Sequence, residues 1–376
     1  MLGEDICAND HEGIIAEETE RVGLEREEEG IKKLIDPILP SKEEVERHYL
    51  MGHIPFRNWC PVCVKAKGRE LDHSQVGDKE RTMSEYSFDY CFPGDEFGFK
   101  WTVLVGKERK SKMWMATAVP MKGSSGRFSV DQCIDFIQEI GDSSTNIIVK
   151  SDQEPAIEYL IKDLIENRPE GKTISEVAPV KSKGSNGVIE RAVQEIEGEI
   201  RAIFIGFQER LGIKLSAKSR IISFIPEYAA YLLNRLHKGQ DGKVGYERIK
   251  GKKPTVLGLE FGEKVLFKKN KGLKMEKINE KFEYGIFVGV RRRSNEVLVC
   301  SPEGLHAVRT VSRILFEKRW GMDNVNWIEW VPWHRYKDAG DADGDIPEDA
   351  PVEEAEPIQR SGDAPVFVET KEKVPR

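Results

Sequence analysis

The chain is 376 residues long, with 33% charged and 39% hydrophobic residues and a net charge of -7; that length exceeds one ordinary core, so two or three domains are expected. The charge is uneven: residues 1–40 hold 4 basic and 12 acidic side chains, residues 336–376 hold 5 and 12, and the stretch 41–335 is left at +8, a basic middle that suits a polyanionic partner. No run of 18 apolar residues is present, which argues against a membrane-spanning helix, the opening MLGEDICANDHEGIIAEETE has no signal-peptide pattern, and six scattered cysteines suit a reducing intracellular compartment rather than secretion.

Residues 1–40, acidic and without an aromatic, are expected to be disordered apart from a short helix around 15–35. In residues 41–70, His48, His53, Cys60 and Cys63 offer two imidazoles and a Cys-x-x-Cys pair, a donor set for tetrahedral zinc. The alternative is a pair of reduced thiols in a basic loop with the histidines on a helix face.

Residues 84–240 alternate strand and helix patterns. YSFDYCF (86–92), KWTVLVG (100–106) and KMWMATAVP (112–120) read as successive strands. A helix over 129–141 has Cys133, Ile134 and Ile137 on one face, and TNIIVKS (145–151) reads as a short buried strand. The following helix carries a stripe of Ile157, Leu160, Ile161 and Ile165; TISEVAPV suggests one more strand. After it, Val193, Ile196, Ile200, Ile203, Phe204, Phe207 and Leu211 recur at helical spacing, and another helix is expected at about 216–237. Gly198 inside the long helix lowers its intrinsic stability.

Residues 241–335 change to short Val-, Ile- and Phe-rich segments separated by turns, the pattern of a small β-barrel or sandwich. The net charge of 241–319 is +9. Trp327, Trp330 and Trp333 are expected to cover the core. Residues 336–376, rich in Pro, Gly, Asp and Glu, read as a disordered tail or linker.

Three carboxylates carry the chemistry. Asp89 interrupts an apolar strand, where a charge is costly unless it is paired or binds a cation. Asp152 ends a buried strand, where sites of α/β sheets gather, although SDQEPA also makes it a candidate helix N-cap. Glu190 opens the long helix, where the helix dipole alone favours an acid. Together the three can hold two magnesium ions for an in-line phosphoryl transfer.

FDY, SDQEPA and SNGVIERAVQEI resemble the three acidic motifs of the retroviral and retrotransposon integrase core. Asp89 and Asp152 are separated by 62 residues, and Asp152 and Glu190 by 37, slightly more than the commonest family spacing. The His48, His53, Cys60 and Cys63 set is similar to the His-His-Cys-Cys module that precedes such cores, in a shortened form. The segment containing GIFVG (285–289) is similar to the C-terminal region of copia-type integrases, so the resemblance spans about residues 45 to 320.

The resemblance implies an RNase H-like mixed α/β core with helices on both faces, preceded by a small zinc-binding-like segment and followed by a small basic all-β module. It implies DNA 3′-end trimming and strand transfer with Mg2+ or Mn2+ at Asp89, Asp152 and Glu190, and possible Zn2+ at the His/Cys set. It also implies a homo-multimer on element ends and target DNA, within a Pol polyprotein that includes a reverse transcriptase, acting in the nucleus after a cytoplasmic phase. The alternative is a catalytically inactive, domesticated relative that binds DNA or chromatin. Candidate DNA contacts are Lys181, Lys183, Asn186, Arg191, Lys268, Lys269, Arg291, Arg292 and Arg293, and the run KKNKGLKMEK doubles as a candidate nuclear import signal. One and two turns past Glu190, where family members often carry basic residues, this chain has Gln194 and Glu197.

Overall fold

The computed structural model describes residues 40–67, 83–95, 98–123, 127–168, 170–177, 187–268 and 280–334. The chain divides into two units, Met1–Leu39 and Pro40–Arg376, and all the described residues belong to the second. The acidic segments expected at 1–40 and beyond 336 lie outside, apart from Pro40, and so do Lys181, Lys183, Asn186, Lys269 and most of the basic run 268–277.

The described chain opens with helix α1 (Lys42–Leu50), whose N-cap Ser41 accepts a hydrogen bond from the Glu44 N–H. A tight turn through Gly52 and His53 follows, then the short helix α2 (Pro61–Lys67). The mixed sheet comprises β1 (Ser84–Cys91), β2 (Thr102–Glu108), β3 (Trp114–Val119), β4 (Ile147–Ser151) and β5 (Thr173–Val177), with α3 (Phe128–Ile140), α4 (Pro155–Asn167) and α5 (Gly187–Leu211) between or after them. A 3-10 turn (Arg220–Phe224) leads into α6 (Ile225–Leu236), so the single helix expected at 216–237 is divided just before Pro226. Proline is tolerated in a first helical turn, where its missing N–H has no helical partner to lose.

The strand order is β3-β2-β1-β4-β5. β1–β2 and β2–β3 are antiparallel, whereas β1–β4 and β4–β5 are parallel. This is the RNase H-like order: a three-stranded meander extended on one side by two strands that return through crossover helices. Strand alternation sorts the side chains by face. Tyr86, Phe88 and Leu104 pack with Phe136, Ile137, Ile157 and Leu164 of α3 and α4, while Cys91, Val103 and Val105 pack with Ile189, Ile196 and Ile200 of α5. Ile165, expected in the core stripe of α4, is 40% exposed, and Leu164 takes its place. The outer edge of β3 is capped by Asn234 of α6, whose side-chain amide exchanges two hydrogen bonds with the Trp114 backbone at 2.7 and 2.8 Å, blunting a free edge.

After α7 (Gly245–Lys250) comes a second, antiparallel sheet of order β10-β6-β7-β8-β9, made of β6 (Lys264–Lys268), β7 (Phe282–Val290), β8 (Val297–Ser301), β9 (Gly304–Val308) and β10 (Val311–Arg313). It is not a freely tethered module. Val265, Phe267, Ile286 and Phe287 join the same apolar cluster as α5 and α6, with Tyr228 edge-on to Phe287 at 5.4 Å. Trp330 is buried in that cluster, and Trp327 and Trp333 pack against it. Arg210 of α5 binds Glu260 through two hydrogen bonds of 2.6 and 2.8 Å. Gly262 has φ +80 and lies so close to Phe207 that a Cβ there would overlap the ring. None of the described helices is long and apolar enough to cross a membrane.

Candidate functional site

The first constellation stands at the C-terminal ends of two neighbouring parallel strands. β1 and β4 pair through Ser87 and Lys150, and continuing that register two residues brings Asp89 level with Asp152. Asp89 shares its side of the sheet with Cys91 and Val103, the side covered by α5. Carboxylate oxygens of Asp89, Asp152 and Glu154 lie within 4.8 Å of one another, all three half-buried. The Asp152 carboxylate accepts a hydrogen bond from the Glu154 N–H at 3.1 Å. That contact forms a turn, and the N-cap of α4 is Glu154, which makes no side-chain cap.

Burial pushes the Asp89 carboxyl up to about 6, against the pull of the Tyr90 N–H at 2.7 Å, and the negative charges of Asp152 and Glu154 push the same way. Crowded half-buried carboxylates of this kind are unfavourable by themselves and fit a hard, oxygen-seeking dication. Lys122, from the turn after β3, forms an ion pair with Glu154.

Glu190 lies in the first turn of α5, exposed, two residues before Ala192, which packs in the cluster on the Asp89 face. It is not among the three acids whose oxygens converge. Glu154 stands there instead. The sequence signal for it was present in SDQEPA, an acid two residues past Asp152 at a strand-to-helix turn, but spacing alone gives no reason to prefer it over other surface acids.

The second constellation is buried. His48 from α1, His53 from the following turn, and Cys60 and Cys63 around the start of α2 are all buried, with ligand atoms within 4.8 Å of one another. His48 Nε2 is 3.1 Å from the Cys63 sulfur, and His53 Nδ1 is 3.5 Å from that of Cys60. The hydrogen bond from Cys63 pulls the Cys60 thiol down, and the same bond pushes Cys63 up. Burial lowers the His53 pKa and favours the neutral imidazole that a metal requires. Four soft or borderline donors converging without an open position fit a structural zinc ion.

This knot sits on α5. Gly198, Ala202 and Gly206 form a small-residue strip at four-residue spacing; Ala202 is fully buried with Cys60, Val62 and Cys63. A Cβ added at Gly206 would lie 3.1 Å from His53 Nε2, and one added at Gly198 would lie 3.6 Å from Lys67 Cγ and 3.8 Å from Ala66 O. Lys67, closing α2, pairs with the fully buried Glu199 and donates to the His53 carbonyl at 3.2 Å, while Arg201 donates to the Ala66 carbonyl at 2.6 Å.

The candidate DNA contacts are dispersed. Arg191 pairs with Glu195 at 3.0 Å within α5, and Lys268 is exposed at the end of β6. Arg292 donates to the Gln132 side chain at 2.7 Å and Arg293 pairs with Asp135 at 3.2 Å, both on α3, and Arg291 lies 3.8 Å from Glu296. The arginine run therefore ties the second sheet to the core.

No family model matches the sequence, and no curated protein matches it. Solved structures with a similar chain trace include retroviral integrases. The HTLV-2 integrase catalytic core domain, in complex with magnesium in trimeric form, is 14% identical over 44% of this chain and 94% of that one, with a TM-score of 0.33. The BIV integrase catalytic core domain is 18% identical over 44% and 93%, TM-score 0.30. A chain of the simian T-cell lymphotropic virus intasome is 12% identical over 68% and 87%, TM-score 0.35.

Proposed function

We propose that this chain is an integrase that trims a DNA 3′ end and joins it to target DNA. The observation that carries the reading is the level placement of Asp89 and Asp152 at the ends of β1 and β4, on a sheet of RNase H-like order whose α5 opens with Glu190. In this reading Asp89, Asp152 and Glu190 hold Mg2+ or Mn2+, with Glu154 close enough to the first two to share the load. When bound, such ions supply Lewis-acid activation of the attacking oxygen and neutralise charge on the leaving one.

The protein's own part is positioning. β1 carries Asp89 and β4 ends one residue before Asp152, so the register of the two strands brings these carboxylates side by side, and α5 brings a longer acid on the same side of the sheet. Water attacks first and releases the end; the freed 3′ hydroxyl then attacks a phosphodiester of target DNA, in line and without a covalent enzyme intermediate. The His48, His53, Cys60 and Cys63 knot holds Zn2+ structurally, close against α5. Assembly as a homo-multimer on DNA, and synthesis within a larger polyprotein, belong to the same reading.

A second reading, an inactive relative that binds DNA or chromatin, is favoured by Gln194 and Glu197, neutral and acidic on the helix turns that follow Glu190. A strand-transfer assay separates the two. The full chain is mixed with element-matched duplex ends and plasmid, in magnesium or manganese, as wild type, Asp152→Asn, Glu190→Gln and Glu154→Gln. Joined products that vanish in the first two variants support the integrase. Equal DNA binding by all four without joining supports the inactive relative.

A further inference from the structure

A cavity of about 230 Å³ opens between α5, the turn after β1 and the segment that leads into α6. Trp101, Phe204, Ile222 and Pro226 make its walls apolar, and Glu197 and Arg201 bring one charge of each sign. The walls are pinned: the Trp101 indole donates to the Ala217 carbonyl at 2.7 Å, and the Ala217 N–H donates to the Asp95 carboxylate at 3.0 Å. An apolar cavity of about 150 Å³ is enough to take a benzene ring, so this one has the size for an aromatic side chain. The described chain ends beside it. Trp333 packs edge-on to Trp101 with ring centres 6.3 Å apart, and His334 is the last described residue. Past Tyr336 the sequence holds a single aromatic, Phe367, in the apolar run Val366-Phe367-Val368. The intervening stretch 338–356 has nine acidic residues and no basic one. Around the cavity the balance is opposite: Arg201 lines it, and Lys100 and Lys218 adjoin its lining residues Trp101 and Ala217 in the chain.

We propose that this cavity is the dock for the chain's own C-terminal segment: Phe367 enters it, and the acidic stretch 338–356 is drawn across the cations at its mouth. The segment then shields those cations from DNA, an autoinhibitory contact. The docking goes beyond the proposed reaction and does not depend on it; the competition with DNA rests on that reading. Reach is no obstacle. Phe367 follows His334 by 33 positions, and a segment of that length spans about 30 Å between its ends. Such a tether presents the ring to the cavity at roughly millimolar effective concentration. With an intrinsic dissociation constant of about 0.1 mM, the tail would fill the cavity about ten times more often than it leaves it. DNA, carrying far more charge, displaces it.

The test uses the full chain and a fluorescent peptide of residues 361–373, whose binding is read by anisotropy. Phe367→Asp should free the cavity and bind the peptide, and wild type should bind it about tenfold more weakly because its own tail competes. Adding Ala217→Leu to Phe367→Asp narrows the cavity and should abolish peptide binding. Adding Lys100→Glu instead, at an exposed position, should weaken it by about 2- to 5-fold. Melting curves matched to wild type check that each variant is folded. A second arm measures affinity for a plain duplex in calcium: Phe367→Asp should bind about tenfold tighter than wild type, with the difference shrinking as salt is raised. Peptide bound equally by wild type and Phe367→Asp, bound by neither, or retained by a folded Ala217→Leu chain overturns the docking and leaves the integrase reading standing. A smaller oligomer for Phe367→Asp in sedimentation would put the tail on a second copy and overturn docking within one chain. Equal DNA affinity with the docking upheld overturns the shielding alone. No DNA binding by any of the chains overturns the shielding and the integrase reading together, and the peptide result still decides the docking.

Discussion

Lys67→Met tests the attachment of the His/Cys knot to α5. The substitution keeps the aliphatic length of Lys67 and removes its charge, leaving Glu199 without its cation in a site where its side chain is 0% exposed and its Oε1 has no hydrogen-bond partner. Stripping one member from a buried ion pair costs about 3–5 kcal/mol, and protonation of Glu199 relieves part of that. Burial already raises the Glu199 pKa with Lys67 present, and removing the cation raises it further. A carboxyl whose folded-state pKa is raised contributes stability that is full below its unfolded pKa and lost as pH rises through the folded one. The deficit of Lys67→Met should therefore be about 3 kcal/mol at pH 8 and shrink toward pH 5. Urea denaturation of the full chain at both pH values measures it, and Lys67→Met with Glu199→Gln should recover most of the loss. A deficit below about 1 kcal/mol at pH 8, or one that fails to shrink at pH 5, would refute the buried-pair reasoning.

Asp89→Asn should raise the melting temperature of the metal-free protein at pH 7.5, because Asp89, its pKa pushed up to about 6 by burial and then by its acidic neighbours, costs stability as pH rises through that value; the gain should fade as pH drops toward 4, and added magnesium should stabilise wild type but not the variant. Melting curves with and without a chelator check both parts. Stripping zinc from the His/Cys knot should lower the melting temperature by roughly 8 °C if free zinc had stood about a thousandfold above its dissociation constant, with Cys63→Ser insensitive to added zinc; metal analysis and calorimetry test this. Gly262→Ala should destabilise by more than about 1 kcal/mol, since it places a Cβ at φ +80 against the Phe207 ring; the denaturant midpoint reports it.

The architecture was largely readable from periodicity. The strands, the helices and the apolar side of α5 follow from spacing that the sheet and its covering helices then use. The pairing of distant surfaces was not. Gly198 reads along its own helix as a weakness, and becomes a seat only when α2 is laid across it. Arg292 and Arg293 read as free positive charge, and are held by α3, some 160 and 158 residues away in the chain. Asp89 and Asp152 could be paired by residue type and position in their strands, whereas Glu154 enters the cluster through the turn geometry between β4 and α4.

The second sheet shares one continuous apolar cluster with α5 and α6. Trimming the chain at residue 240 would uncover Tyr228 and Phe207, which pack against Phe287, Phe261 and Trp320. The boundary visible in composition is therefore a poor place to cut. The second sheet, α5 and α6 should therefore melt in a single transition, with the His/Cys knot seated on α5 and the sheet of carboxylates lost together.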